Sequence, residues 1–478
     1  MTLSSVEENN KMFGEEKVGK LLLRFAIPAI ISLMVAEMYN IVDSIFVGKA
    51  IGANAIGALT IAYPIQTLFF ALAMLIAIGA SACVARSCGE GNFEKLRTII
   101  PNAITLMVII VSFVAVGIFV FQDRIMISLG ASQNIFPLAK EYISIILLGV
   151  IFESFTLIVS YIMTALGNIK IVLISTSIGA ICNLIIDYFL VNVFPFGMKG
   201  AAIATVISQI IAFVYVLNEF MKIKKGLKLS MKLTLNKAVS VGILCIGFST
   251  FVIEVSDAVV AAILNNLLAS YGGDLAIITV GLTTRISMFL FMTVIGISSA
   301  MQPIAAYNYG AGNYKRLKEV VKKSIIAVSV SSTLLWAFFM IFSKQLIGLF
   351  ISDRAIIDET AKALRIVIAV FPCLGVYYLS IFYCQAINRV KTSFLLSIYR
   401  QIIIFIPLVY ILVSGLGIGV MGAWIAYPVS DIISFVTASI FIKYTYASLE
   451  KLETIETLEK HKIFNRNKCK VRLGAATI

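Results

Sequence analysis

GMKGAAIATVISQIIAF (residues 197–213) and GVMGAWIAYPVSDIISF (residues 419–435) are two versions of one pattern: spaced glycines that open a long apolar run. Two more pairs keep the register. CGEGNFEKL from Cys88 to Leu96 meets YGAGNYKRL from Tyr309 to Leu317, and TALGNIK ending at Lys170 meets QAINRVK ending at Lys391. Three matches in order at a shift of about 221 residues mark an internal duplication. Each copy holds several apolar runs, so the duplicated unit is a bundle and not a single hairpin.

The solvent for these bundles follows from composition. Of 478 residues, 60% are hydrophobic and only 13% charged. A soluble domain carries about 25% charged residues, and no soluble fold has an interior large enough to hide so much apolar surface. Lipid admits helices or closed barrels, because the backbone must satisfy its own hydrogen bonds there. The apolar runs are much longer than the ~10-residue alternating strands of a barrel, so helices are expected. Residues 1–20 are polar and mixed in charge, and no cleavable signal peptide is expected.

Twelve spans are expected, near residues 21–47, 55–84, 98–121, 138–162, 170–193, 199–221, 238–268, 275–306, 320–342, 363–386, 394–415 and 420–446. Six fall in each copy. An even number makes the copies parallel, related by an axis along the membrane normal, the arrangement that flanks a central substrate site in secondary transporters. The chain then divides into a segment 1–20, an N-terminal lobe 21–221, a basic linker 222–237, a C-terminal lobe 238–446 and an amphipathic, basic tail 447–478. With both termini in the cytoplasm, most of the 39 Lys and Arg residues lie on the inner side, led by Lys222, Lys224, Lys225, Lys228, Lys232 and Lys237. The net charge of +14 is therefore read as membrane topology, with no nucleic acid as partner. Seven scattered cysteines and a lone His461 give no zinc, disulfide or histidine-base chemistry, and no enzyme motif is present.

Ionisable groups inside spans are costly and mark function. They are Glu37, Asp43, Glu153, Asp187, Glu254, Asp257, Arg285 and Asp431. The acidic excess suits a cationic cargo or a coupling cation. At ~1.5 Å per residue, Asp43 and Asp187 reach a similar level in the outer half of their helices. Asn183 is one turn from Asp187 on the same face, and Thr205 lies near that level. Two carboxylates, an amide and a hydroxyl fit a hard cation such as Na⁺ or, through shared protons, H⁺. The alternative for Asp43 is an interfacial residue in water. Glu254 and Asp257 share a face and form a second candidate for cation or substrate; Arg285 is expected to neutralise an acid. Pro28 permits a bend in the first span. Met34, Met38, Tyr39, Met288, Phe289, Met292, Tyr377 and Tyr378 are candidates to line a pocket for varied cations, or else packing residues.

IPAIISLMVAEMYNIVDSIFVGKAIGANAIGAL, GEGNFEKL with GAGNYKRL, MTALGNIK with QAINRVK, and the paired GMKGAAIAT and GVMGAWIAY resemble the multidrug and toxic compound extrusion (MATE) family, especially its MepA-like and DinF-like members. The resemblance covers about residues 15–445. It implies an all-α, V-shaped pair of six-helix lobes, monomeric, multi-pass in the cytoplasmic membrane. It implies export of cationic or amphipathic small molecules by antiport with H⁺ or Na⁺, and no cofactor. Asp43, Asn183, Asp187 and Thr205 match the family's N-lobe cation site, and Pro28 its bending proline. Glu254 resembles the helix 7 acid of NorM-like members, whose helix 10 acid is missing from FPCLGVYYLSIFYCQA. A lipid-carrier flippase of the same superfamily is the alternative; such proteins carry more helices and a basic cavity.

Overall fold

The computed structural model describes residues 11–474 except 195, 230–233 and 352, and omits side chains at a few helix positions and beyond 447. Residues 1–10 of the N-terminal segment and 475–478 of the tail lie outside the described residues. The described chain is helical, without strands. The N-terminal lobe holds α1 (Val18–Ala50), α2 (Ala53–Gly89), α3 (Phe93–Ser128), α4 (Phe136–Ala165), α5 (Ile171–Asp187, continued by a π-helical segment Tyr188–Val193) and α6 (Gly197–Leu227). The C-terminal lobe holds α7 (Lys237–Leu268), α8 (Ile278–Gly310), α9 (Tyr314–Ile341), α10 (Phe371–Ala386), α11 (Val390–Gly415) and α12 (Val420–Ala447). Among the described residues eleven helices are long and apolar enough to cross a membrane, or twelve if a bent pair counts as one span.

The bent pair is the tenth span. Its expected helix 363–386 is broken: Arg354–Val367 and Phe371–Ala386 meet at 51°. Pro372 at the start of the second piece has no N–H to continue the ladder and disfavours helical backbone before it. Between α7 and α8 the helix run continues from Lys237 to Gly310 but leaves helical geometry at Gly273. The basic linker is shorter than 222–237, because α6 stays helical through Lys222, Lys224 and Lys225 to Leu227. The last helix runs on from α12 to Gly474.

The duplicated motifs have matched physical roles. In GEGN and GAGN, Gly91 (φ 68°) and Gly312 (φ 69°) turn the chain in the left-handed region that side-chain-bearing residues avoid. Asn92 and Asn313 then cap α3 and α9, accepting from the backbone N–H of Lys95 and Arg316. The first glycine of each motif serves packing. A Cβ on Gly89 would lie 2.0 Å from the Tyr307 carbonyl oxygen, and one on Gly310 would lie 2.2 Å from that of Arg86. The ends of α2 and α8 thus touch backbone to backbone across the lobe boundary. Gly79 against Ile243 and Gly247 against Leu75 do the same for α2 and α7, with 2.0 and 1.7 Å to carbonyl oxygens. Small residues at such crossings give close contact, which drives helix association in lipid.

The same basic end is bound by two crossing straps. Before α1, residues 11–15 are helical. There Phe13 is fully buried, its ring packed between Phe25 (5.3 Å) and Tyr307 (5.4 Å). The Phe13 carbonyl accepts from Asn308 Nδ2 (3.1 Å) and Arg316 Nε (2.9 Å), and the Glu16 carbonyl accepts from Arg316 Nη2. Before α7, Thr234 N donates to Thr105 Oγ1 (3.2 Å) and Asn236 N to Asn102 Oδ1 (2.8 Å). Each strap starts one lobe and docks on the other.

Candidate functional site

In the N-terminal lobe, α1, α5 and α6 bring four polar side chains together. Asp43, Asn183, Asp187 and Thr205 are all buried. The carboxyls of Asp43 and Asp187 face each other within hydrogen-bonding contact. The Asn183 amide, with its nitrogen turned to the acid as its neighbours require, donates to Asp187 Oδ2 (2.6 Å) and accepts from Thr205 N (3.3 Å). Thr205 Oγ1 is anchored on the Ala201 carbonyl (3.0 Å). Tyr39 and Tyr142 reach Thr205 from α1 and α4, and Gln66 Nε2 lies 3.4 Å from the Tyr142 hydroxyl.

This cluster is short of positive charge. Asp43 Oδ1 and Asp187 Oδ1 are buried without a hydrogen-bond partner among the described residues, and neither acid has an ion pair there. Facing carboxylates repel unless a proton is shared or a cation sits between them. The residues fit either solution. Among the described residues no group of three or more His, Cys, Asp or Glu exists that could hold a metal, so the donor set is two carboxylates with neutral oxygens. Asp187 closes α5 where the backbone passes into the π segment Tyr188–Val193. Such wide turns recur at functional sites.

The C-terminal lobe places its charges on α7, α11 and α12, the helices that correspond by repeat to α1, α5 and α6. Arg400 Nε donates to Asp431 Oδ1 at 2.8 Å, with both side chains buried. Next to it, Gln401 Nε2 donates to Asp257 Oδ1. Arg400 and Gln401 lie in a π segment, Tyr399–Phe405. The guanidinium also stands 6.0 Å above the Phe291 ring. Arg285, expected to neutralise an acid, is instead exposed and has no ion pair among the described residues; the buried partner is Arg400. The signal for it was present, an arginine inside the apolar span 394–415, and the sequence reading passed over it.

The remaining candidates separate by burial. Glu254 is half-buried, and Asp257 and Glu153 are exposed. Glu153 Oε2 accepts from Gln209 Nε2 (2.9 Å). Tyr63 of α2 lies within electrostatic reach of Glu37, Glu254 and Asp257, and Tyr161 of α4 within reach of Glu254. Acids of the C-terminal lobe therefore lie near aromatics of the N-terminal lobe. Met34, Met38 and Met288 are exposed, and Phe289 is half-buried. Met292, Tyr377 and Tyr378 are buried; the Tyr377 hydroxyl donates to the Leu396 carbonyl and so serves packing inside the lobe. Pro28 sits within an unbroken α1, where the Ser32 hydroxyl takes up the Pro28 carbonyl (2.6 Å).

Comparison with known proteins gives one answer. The chain is similar to the multidrug export protein MepA of Staphylococcus aureus, 25% identical over 413 residues that cover 86% of this chain and 91% of that protein. It is 23% identical to MepA of Staphylococcus saprophyticus over 407 residues, 85% and 90% of the two chains. Its fold matches an outward-facing MATE transporter of the MOP superfamily with TM-score 0.85 and 21% identity, over 92% of this chain and 98% of that one. It also matches a MATE in a bent conformation, with TM-score 0.86 and 21% identity over 93% and 99% of the two chains. The MatE family model covers residues 28–189 and 246–411, one block in each lobe, and the chain belongs to the MatE family.

Proposed function

We propose that this protein is a secondary active multidrug exporter that exchanges cationic or amphipathic small organic molecules for H⁺ or Na⁺. One observation carries the reading: Asp43 and Asp187 face each other in a buried, polar, cation-poor cluster. The name of the MepA relatives, multidrug export proteins, supports the substrate class. The basic end, where the straps and glycine crossings lie, is assigned to the cytoplasm by its Lys and Arg content. Loading of the acid pair from outside neutralises it and alters how α1 packs on α5 and α6. Glu254 and Asp257, near Tyr63 and Tyr161, supply charge and ring faces for a cation between the lobes. Ion loading drives substrate release only through different affinities in the two lobe arrangements. One charge moved across 100 mV contributes about 2.3 kcal/mol.

The test is efflux of a fluorescent organic cation from proteoliposomes, with Na⁺ and pH gradients imposed separately. One gradient is expected to drive transport and the other not. Transport down the substrate gradient alone, unaffected by either ion, would remove the antiport reading.

A further inference from the structure

The two lobes place buried charge among corresponding helices but solve its neutralisation differently. In the N-terminal lobe the cluster on α1, α5 and α6 contains two facing acids and no base. In the C-terminal lobe the cluster on α7, α11 and α12 contains a base beside two acids, Arg400 bonded to Asp431 at 2.8 Å with Asp257 near it. At the repeat shift of about 221 residues, Arg400 falls on Gly179, which has no side chain to offer. In return Asp43, Asn183 and Asp187 fall on Leu264, Ile404 and Leu408. Two acids thus meet in each lobe, at positions that do not correspond, and a buried arginine stands between them in the C-terminal lobe only.

We infer that Arg400 is a tethered cation, filling permanently in the C-terminal lobe the role that an exchangeable cation fills in the N-terminal lobe. The inference rests on the ion-coupling reading above and deepens it: ion loading is confined to Asp43 and Asp187. The surroundings of Arg400 fit a fixed occupant. Asp431 and Tyr427 face it from α12, Asp257 from α7, Tyr377 and Tyr378 from α10, and Phe291 from α8. Buried guanidinium is the usual choice for such a place, because it is always charged and its planar fork holds a carboxylate in fixed geometry. Asp257 accepts a hydrogen bond from Gln401, a neutral donor. Arg400 is a positioning residue: it touches no cargo and sets the ionic demand of its lobe.

Ligand-linked melting of the purified protein tests this without requiring transport. In Na⁺-against-choline and pH series, the wild type is expected to show one cation-dependent shift of the melting temperature. Asp43→Asn with Asp187→Asn is expected to abolish it. Adding Arg400→Met to that pair strands Asp431 and is expected to create a new cation-dependent shift. Further addition of Asp431→Asn is expected to remove the shift again, and Arg400→Lys alone to leave wild-type behaviour. In proteoliposomes, Arg400→Met is expected to raise the ion-to-substrate coupling number by one. The inference is overturned if the Asp43 and Asp187 double variant, with Arg400 intact, keeps the full wild-type cation dependence. That arm holds even if Arg400→Met does not fold. A folded Arg400→Met variant with neither a new shift nor a changed coupling number overturns it as well. Absence of organic-cation transport by the wild type would sink the export reading and leave the melting arms to judge Arg400.

Discussion

Asp43 and Asp187 are each other's main neighbour, and that determines what amide substitution does. Asp43→Asn or Asp187→Asn removes a repulsion and leaves size unchanged, so the melting temperature is expected to hold or rise while ion-driven efflux falls to background. Normal gradient-driven efflux by either variant would dismiss the N-lobe site. The acids, the amide one turn before Asp187 and the threonine were all legible in the sequence, because a charge in an apolar span stands out. Which atoms meet was not. The contact joins helices far apart in the chain, and no periodicity encodes it. Arg285 shows the limit from the other side. Its position within a span gave no hint that it is exposed, whereas Arg400 pairs with a residue 31 positions away.

The repeat motifs were legible as sequence but not as mechanics. GEGN and GAGN fall between expected spans; only the fold shows that Gly89 and Gly310 place α2 and α8 backbones against each other. Gly89→Leu forces side-chain volume into a gap of 2.0 Å from a carbonyl. Overpacking of this kind costs about 1–3 kcal/mol or more, and separation of the helix ends relieves it. The adjacent buried Cys88 reports the event: in a variant with no other cysteine, its labelling by a permeant maleimide is expected to accelerate on Gly89→Leu. An unchanged rate would mean that the crossing is not a point of separation. Proline in α1 makes a second case. Pro28→Ala restores the missing donor toward the Arg24 carbonyl and stiffens the helix that carries Asp43. Efflux is expected to slow while the cation-dependent melting shift persists. Loss of that shift would place Pro28 in the ion site instead of in the bend. The broken tenth span was readable in principle from Pro372, but apolar content alone ran the helix straight through it.

Lobe against lobe, the closure at the basic end is held by two straps that cross in opposite directions. Phe13→Ala removes a fully buried ring between Phe25 and Tyr307, a change that costs about 3–5 kcal/mol where the ring is packed. The cost falls on the arrangement in which the strap is docked, so the lobes are expected to spend more time apart at that end. Spin labels at Glu94 and Lys315, matched exposed positions at the starts of α3 and α9, are expected to report a longer distance, and Arg316→Ala a similar shift. An unchanged distance distribution in both variants would show that the strap merely rests on the lobe. Lobe number and approximate span limits were legible because hydropathy and duplication act over whole helices. The straps were not, since a few polar residues before a span carry no repeat signature.

The Phe13 and Glu16 carbonyls are the points where the N-terminal strap is hydrogen-bonded to the far lobe. This has a practical side for anyone handling the protein. An affinity tag or fluorescent fusion joined close to that phenylalanine would pull on the clasp, and trimming the leader past Lys11 would cut it away. Either change would alter transport measurements without touching the membrane-embedded residues.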